Sequence, residues 1–229
     1  MEVMKNNKPL NFVLIGRSGS GKGTQAELII KKHPDTEYIS TGNLFRDLSK
    51  QNTEVGRRIE EVLEKGGLPF DDLATTLWMH SVAYKVQEGE GIMFDGAPRR
   101  LDEAHNLDRF LEWLGRIDKT AFILIDISRE EAFARLSKRR ICSKCGKLVP
   151  FVGEYKEWQD CHECGGKLVE RPDDIPEAIN NRLDYFDKIV VPMLDYYDKK
   201  GVLIKIDGQQ SIDGVFSSIT AALFEKFGE

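Results

Sequence analysis

The stretch Leu10-Asn11-Phe12-Val13-Leu14-Ile15-Gly16-Arg17-Ser18-Gly19-Ser20-Gly21-Lys22-Gly23-Thr24 decides the fold. Phe12 to Ile15 form a short apolar run, the pattern of a strand covered on both faces. Glycines follow at 16, 19, 21 and 23, with Lys22 among them. After Thr24 the spacing becomes helical through Ala26, Leu28, Ile29 and Ile30, and His33-Pro34 ends the run. Strand, glycine-rich turn, lysine and helix start together make a phosphate-binding loop. Glycines let backbone N–H groups approach an anion, and the helix N-terminus adds positive potential. Lys22 adds a full charge that can reach the outer phosphates. Gly23 stands where such loops usually carry Ser or Thr, and Thr24 follows one place later.

Composition bounds the rest. A chain of 229 residues is long enough for one α/β core with small insertions. At 41% hydrophobic and 31% charged residues it reads as globular. The net charge of −5 argues against a nucleic-acid surface, so a polyanionic ligand needs a local cluster of Arg and Lys. No apolar run approaches the roughly 20 residues of a membrane span. The N-terminus lacks the pattern of a signal peptide. No membrane association and a cytoplasmic location are therefore expected.

Further buried strands are expected at Tyr38-Ile39-Ser40, Ile92-Met93-Phe94, Ala121 to Ile127 and Val202 to Ile206. Alternating with helices, the five candidates imply a doubly wound, five-stranded parallel sheet. Asp71 or Asp72 is expected to cap one helix, and Ser128 with Glu131 to open another as a capping box. Pro192 is expected to bend or break the long helix after Pro176. Asp95 ends a core strand and so faces the ligand crevice, as a partner of magnesium-bound water or as a turn cap. Arg135, Arg139 and Arg140 are expected along one helix, Arg135 and Arg139 on the same face, as an anion-binding cluster or a solvated basic face. Cys142-Ser143-Lys144-Cys145 and Cys161-His162-Glu163-Cys164 place two Cys-x-x-Cys pairs 15 residues apart and hold every cysteine in the chain. That spacing fits a closed, structural zinc site with four thiolates, with disulfides as the alternative.

Together, residues 16–25, 40–47, 94–99, 135–140 and 171–174, both cysteine pairs and Arg182 resemble an adenylate kinase of the long, zinc-lid type. The resemblance runs in order over essentially the whole chain. It implies a P-loop NTPase core over 1–39, 70–137 and 175–229, a helical nucleoside-monophosphate-binding insertion at 40–69, and a small zinc-stabilised lid at 138–174. It implies magnesium-dependent phosphoryl transfer from ATP to AMP, giving two ADP, by a monomer without nucleic-acid partners. Gly19, Ser20, Gly21, Lys22, Gly23 and Thr24 would hold the ATP phosphates, with Arg135, Arg139 and Gln210 also against ATP. Thr41, Gly42, Arg46, Gly67, Leu68, Pro69, Gly96, Arg99 and Glu103 would hold AMP. Lys22, Asp95, Arg99, Arg139, Arg171 and Arg182 would serve the transfer itself, Arg171 and Arg182 closing on AMP as well. The family usually has Pro where Ser18 stands, Asp at Asn43, a bulky residue at Ala97, and a base-reading Gln at Glu103. A glutamate cannot donate to the adenine ring nitrogen unless protonated, so Glu103→Gln is expected to lower the KM for AMP. Kinases of GMP, UMP or CMP and a zinc-ribbon nucleic-acid-binding ATPase are the alternative readings.

Overall fold

Every strand of the main sheet runs the same way, so the loops at their C-terminal ends share one edge. The computed structural model describes residues 9–65, 67, 69–171 and 174–228. The first part runs β1 (Asn11–Ile15), α1 (Lys22–Lys32), β2 (Thr36–Ser40), α2 (Thr41–Ser49), α3 (Glu54–Glu64) and α4 (Asp71–Lys85). The middle runs β3 (Gly91–Asp95), α5 (Leu101–Trp113), β4 (Thr120–Asp126) and α6 (Arg129–Leu136). Three short strands follow, β5 (Arg140–Cys142), β6 (Leu148–Val149) and β7 (Leu168–Glu170). The chain closes with α7 (Pro176–Tyr185), α8 (Val191–Lys199), β8 (Leu203–Asp207) and α9 (Ile212–Phe227).

The main sheet has the order β2-β3-β1-β4-β8, all parallel. β1 lies in the middle, with all five residues buried, which explains its unbroken apolar run. The chain leaves β1 for β2 on one side and later crosses to β4 on the other. The loop after β1 therefore opens at the point where strand order reverses, the usual ligand crevice of such sheets. Apolar side chains alternate to the two faces. Val13, Ile15, Phe94 and Phe122 join Trp78, Leu107 and Tyr197 in one core layer. Phe12, Leu14, Met93 and Ile123 meet Ile29, Val215 and Ile219 in the other. The short strands form a separate antiparallel sheet, β6-β5-β7.

Helix starts follow local chemistry. Ser40, Thr53, Ser128 and Ser211 each accept a backbone N–H three residues on, at 3.4, 3.0, 3.1 and 3.1 Å. Two expectations need correction. Helix α4 already begins at Asp71, after Phe70, so Asp72 lies inside its first turn and is no cap. Helix α6 stops at Leu136, so Arg139 and Arg140 do not continue the face of Arg135. Pairing of β5 with β6 and β7 takes residues 140–142 instead. Pro192 interrupts its α-helix as expected and sits in the first turn of α8. A π-helical turn, Phe186–Val190, joins α7 to α8 and absorbs the backbone bond that proline cannot make.

Candidate nucleotide site

The loop after β1 is shaped by what lies behind it. A side chain at Gly16 would meet the Ile125 carbonyl at 2.5 Å, so only glycine lets the turn pass this close to β4. Gly21 has φ 96°, a left-handed conformation that glycine adopts without strain, and it leads directly into α1. No side chain caps this helix start, which leaves its N–H groups directed at the crevice. Lys22 Nζ donates to the carbonyls of Gly16 and Arg17 at 2.8 and 2.9 Å, which holds the ammonium at the loop. Burial draws its pKa down to about 8, against the pull of Asp95; Arg99 and Arg139 press it further down. These four side chains therefore share one electrostatic neighbourhood. Ser20 Oγ is buried there without a protein partner, while Gly23 is exposed and Thr24 half-buried.

Asp95 ends β3 opposite Leu14 and Ser40. Its Oδ2 accepts the Tyr38 hydroxyl at 2.6 Å, and burial together with this carboxylate pushes the tyrosine pKa up. Tyr38 was not legible as a site residue, because only the register of β2 against β3 brings the two together. Arg99 Nε donates to Gly96 O at 2.8 Å.

Asp174 belongs to the 171–174 motif, but its role emerges only from its partners in the fold. Its carboxylate accepts Arg139 Nε and Nη2 at 2.8 and 2.9 Å, and Arg182 Nη2 at 2.6 Å. Burial would raise this carboxyl, yet the two arginines hold it below the usual value. Arg171 lies close enough to depress Arg139, whose own burial lowers it first. Arg139, Arg171 and Arg182 thus converge on one place. Arg140 does not: it donates to the carbonyls of Trp158 and Tyr155, both at 2.6 Å, and serves the small sheet. Arg17, inside the glycine loop, is also committed elsewhere. It bonds Asp187 at 2.6 Å and lies 4.5 Å over the Phe186 ring, which ties the loop to the π-helical turn.

Arg135 sits on a different flank. It pairs with Glu131 and donates to Gly208 O at 3.0 Å, beside Gln210 in the turn after β8. Gln210 in turn donates to Asp207 O at 3.0 Å. On the side of β2, Thr41 is buried with its hydroxyl unpartnered, and Arg46 bonds Asn43 one helical turn earlier. A side chain at Gly42 would come within 3.4 Å of the Arg46 guanidinium. Gly67 donates its N–H to Val62 O at 2.8 Å, and Pro69 is half-buried. Leu68 lies outside the described residues. Glu103 is only 6% exposed, and both of its oxygens accept donors of the protein: Trp78 Nε1 at 3.1 Å and the Arg99 N–H at 2.7 Å.

The four cysteines form one cluster, with ligand atoms all within 4.8 Å of one another. The Sγ separations are 3.4 Å for Cys142–Cys164 and 3.7 Å for Cys145–Cys161. Four thiolates about 2.3 Å from a tetrahedral ion lie about 3.8 Å apart, so this donor set fits a thiophilic metal. These separations exceed the roughly 2.05 Å of a disulfide bond. Backbone N–H groups of Lys144 and Cys145 point at Cys142 Sγ, and the thiol pKa falls to about 6, chiefly through the Cys145 N–H. A side chain at Gly166 would strike Cys142 Sγ at 2.7 Å, so the second knuckle needs a glycine there.

The family profile described as Adenylate kinase matches residues 14–202. An adenylate kinase of Caldanaerobacter subterraneus subsp. tengcongensis is 40% identical over 215 residues, covering 93% of this chain and 96% of its own. An adenylate kinase of Lysinibacillus sphaericus is 39% identical over 93% of this chain and 98% of its own. One from Thermotoga neapolitana is 38% identical over 91% and 94%.

Proposed function

Because the chain belongs to the adenylate kinase family, we propose that its crevice transfers a phosphoryl group reversibly from ATP to AMP, with Mg2+, giving two ADP. The observation that carries the reading is one electropositive neighbourhood at the reversal point of the sheet. It joins the glycine loop and Lys22 to Asp95, Arg99 and Arg139. Phosphoryl transfer needs in-line positioning and charge neutralisation more than proton chemistry.

In this reading the loop residues 19–24 cradle the ATP phosphates with backbone N–H groups, and Lys22 neutralises the outer ones. Arg135, fixed on the Gly208 carbonyl, and the backbone by Gln210 flank the adenine. Arg99, Arg139, Arg171 and Arg182 neutralise charge as the phosphoryl group moves, Asp174 holding two of them in register beforehand. Thr41, Gly42, Arg46 and residues 67–69 take the monophosphate side, together with Gly96. Asp95 and Thr24 are the residues that would hold magnesium, Asp95 through water, and the ion supplies charge neutralisation on the phosphates. The segments 40–69 and 138–174 are the two substrate-covering parts on a core of 1–39, 70–137 and 175–229. The cysteine cluster holds structural zinc, since four protein ligands leave no open position for chemistry.

Among the described residues no helix is long and apolar enough to cross a membrane. A monomer in the cytoplasm, where thiols stay reduced, completes the reading. Measuring ADP formation from ATP with AMP, GMP, UMP, CMP or no acceptor tests it, AMP being the expected substrate. Acceptor-independent hydrolysis stimulated by DNA or RNA would refute it.

A further inference from the structure

We propose that Glu103 is a positioning residue for Arg99, locked in place by Trp78, and does not read the base of the monophosphate. The inference rests on the adenylate kinase reading of the site. Its starting point is the pair of bonds at the carboxylate. Oε2 accepts the backbone N–H of Arg99, and Oε1 accepts the indole N–H of Trp78. Both partners can only donate. A group that faces two donors must accept at both ends, and an ionised carboxylate does so. An amide cannot, because one end of it is itself a donor. Glutamine at 103 would thus set its NH2 against either the indole or the Arg99 N–H. The tryptophan therefore dictates the glutamate.

The indole cannot swing aside to relieve such a clash. Trp78 is fully buried and sits edge-on to Phe94 on β3 and Phe110 on α5, each 5.7 Å between centroids. Burial raises the Glu103 carboxyl above its ordinary value, while the Arg99 N–H, the Arg99 charge and the indole hold it down. The same carboxylate anchors the turn 96–100 by its backbone, and Arg99 Nε binds Gly96 O within that turn. Glu103 thus sets where the Arg99 guanidinium starts, which is a demand of phosphate chemistry and independent of the base.

The test is a double-mutant cycle on the full-length protein, with kcat/KM measured for AMP, GMP and CMP at saturating ATP. Glu103→Gln is expected to lower kcat/KM about tenfold for every acceptor the wild type uses, with the ratios among acceptors and the KM for ATP unchanged. Trp78→Phe alone is expected to cost about threefold. In the double variant no indole N–H faces the amide, so the losses should not multiply. Melting temperatures of the same four proteins without substrate should show the same coupling. If Glu103→Gln fails to fold, the double variant carries the test of the acceptor ratios. A gain in AMP use, a change in acceptor ratios or fully multiplicative losses would overturn the inference. A folded wild type that phosphorylates no monophosphate would instead overturn the functional reading and leave the thermal coupling to decide this one.

Discussion

Replacing Asp174 by Ala removes one carboxylate and leaves two guanidiniums facing each other. Three charge-assisted hydrogen bonds, at 2.6, 2.8 and 2.9 Å, vanish from a side chain only 4% exposed. Breaking a buried pair in this way costs about 3–5 kcal/mol. Both arginine side chains keep 15% exposure, so water compensates in part and the lower end, about 3 kcal/mol, applies. For a chain of this length 1 kcal/mol shifts Tm by about 2–4 °C, so Asp174→Ala should melt about 6–12 °C lower. The assay is calorimetry of both proteins, free and with saturating ATP. Bound polyphosphate returns counter-charge to Arg139 and Arg182, so ATP should narrow the gap. The pH dependence has a fixed sign. The folded carboxyl lies below its ordinary value of 3.8, so its contribution is complete well above that value and fades as pH falls through the folded pKa. Equal melting temperatures in the absence of nucleotide would refute the stabilising pair. A gap that ATP leaves untouched would refute the two arginines as phosphate ligands.

Lys22→Met should cost about 3 kcal/mol of transition-state stabilisation, roughly a hundredfold in kcat/KM, with an unchanged circular dichroism spectrum. Undiminished turnover in the folded variant would remove the phosphate-loop assignment. Because the Lys22 pKa is drawn down to about 8, its charge is lost as pH rises through that value. kcat/KM for ATP should therefore fall above about pH 8. The limb should move beyond pH 10 in Lys22→Arg, and a limb that stays would assign it to another group. Metal analysis of protein purified without chelator should find one zinc per chain. Chelation should lower the melting temperature, since a segment of few apolar residues draws its folding energy from the ion.

What the chain declared by itself was local. Four glycines around Lys22, an apolar run before them and helical spacing after them lie within some twenty residues. Backbone preference and hydrophobic period act over that range, so the loop and all five core strands were readable. The cysteine pairs were readable for the same reason, as ligand spacing within a knuckle is short. Family resemblance extended this to the remaining arginines but said nothing of their partners. Those are set by register and packing between distant segments. Tyr38 meets Asp95 across 57 residues, Arg139 meets Asp174 across 35, and Arg17 meets Asp187 across 170. The helix expected to carry Arg135 and Arg139 ends at Leu136, because the small sheet claims the next residues through pairings made 30 positions later, at Arg140 with Glu170. Glu103 shows the limit most clearly. By position alone it reads as a base contact, yet its chemistry depends on a tryptophan 25 residues earlier. A one-dimensional pattern records which groups are present. Only the folded chain decides which donor faces which acceptor, and that pairing selects a carboxylate over an amide.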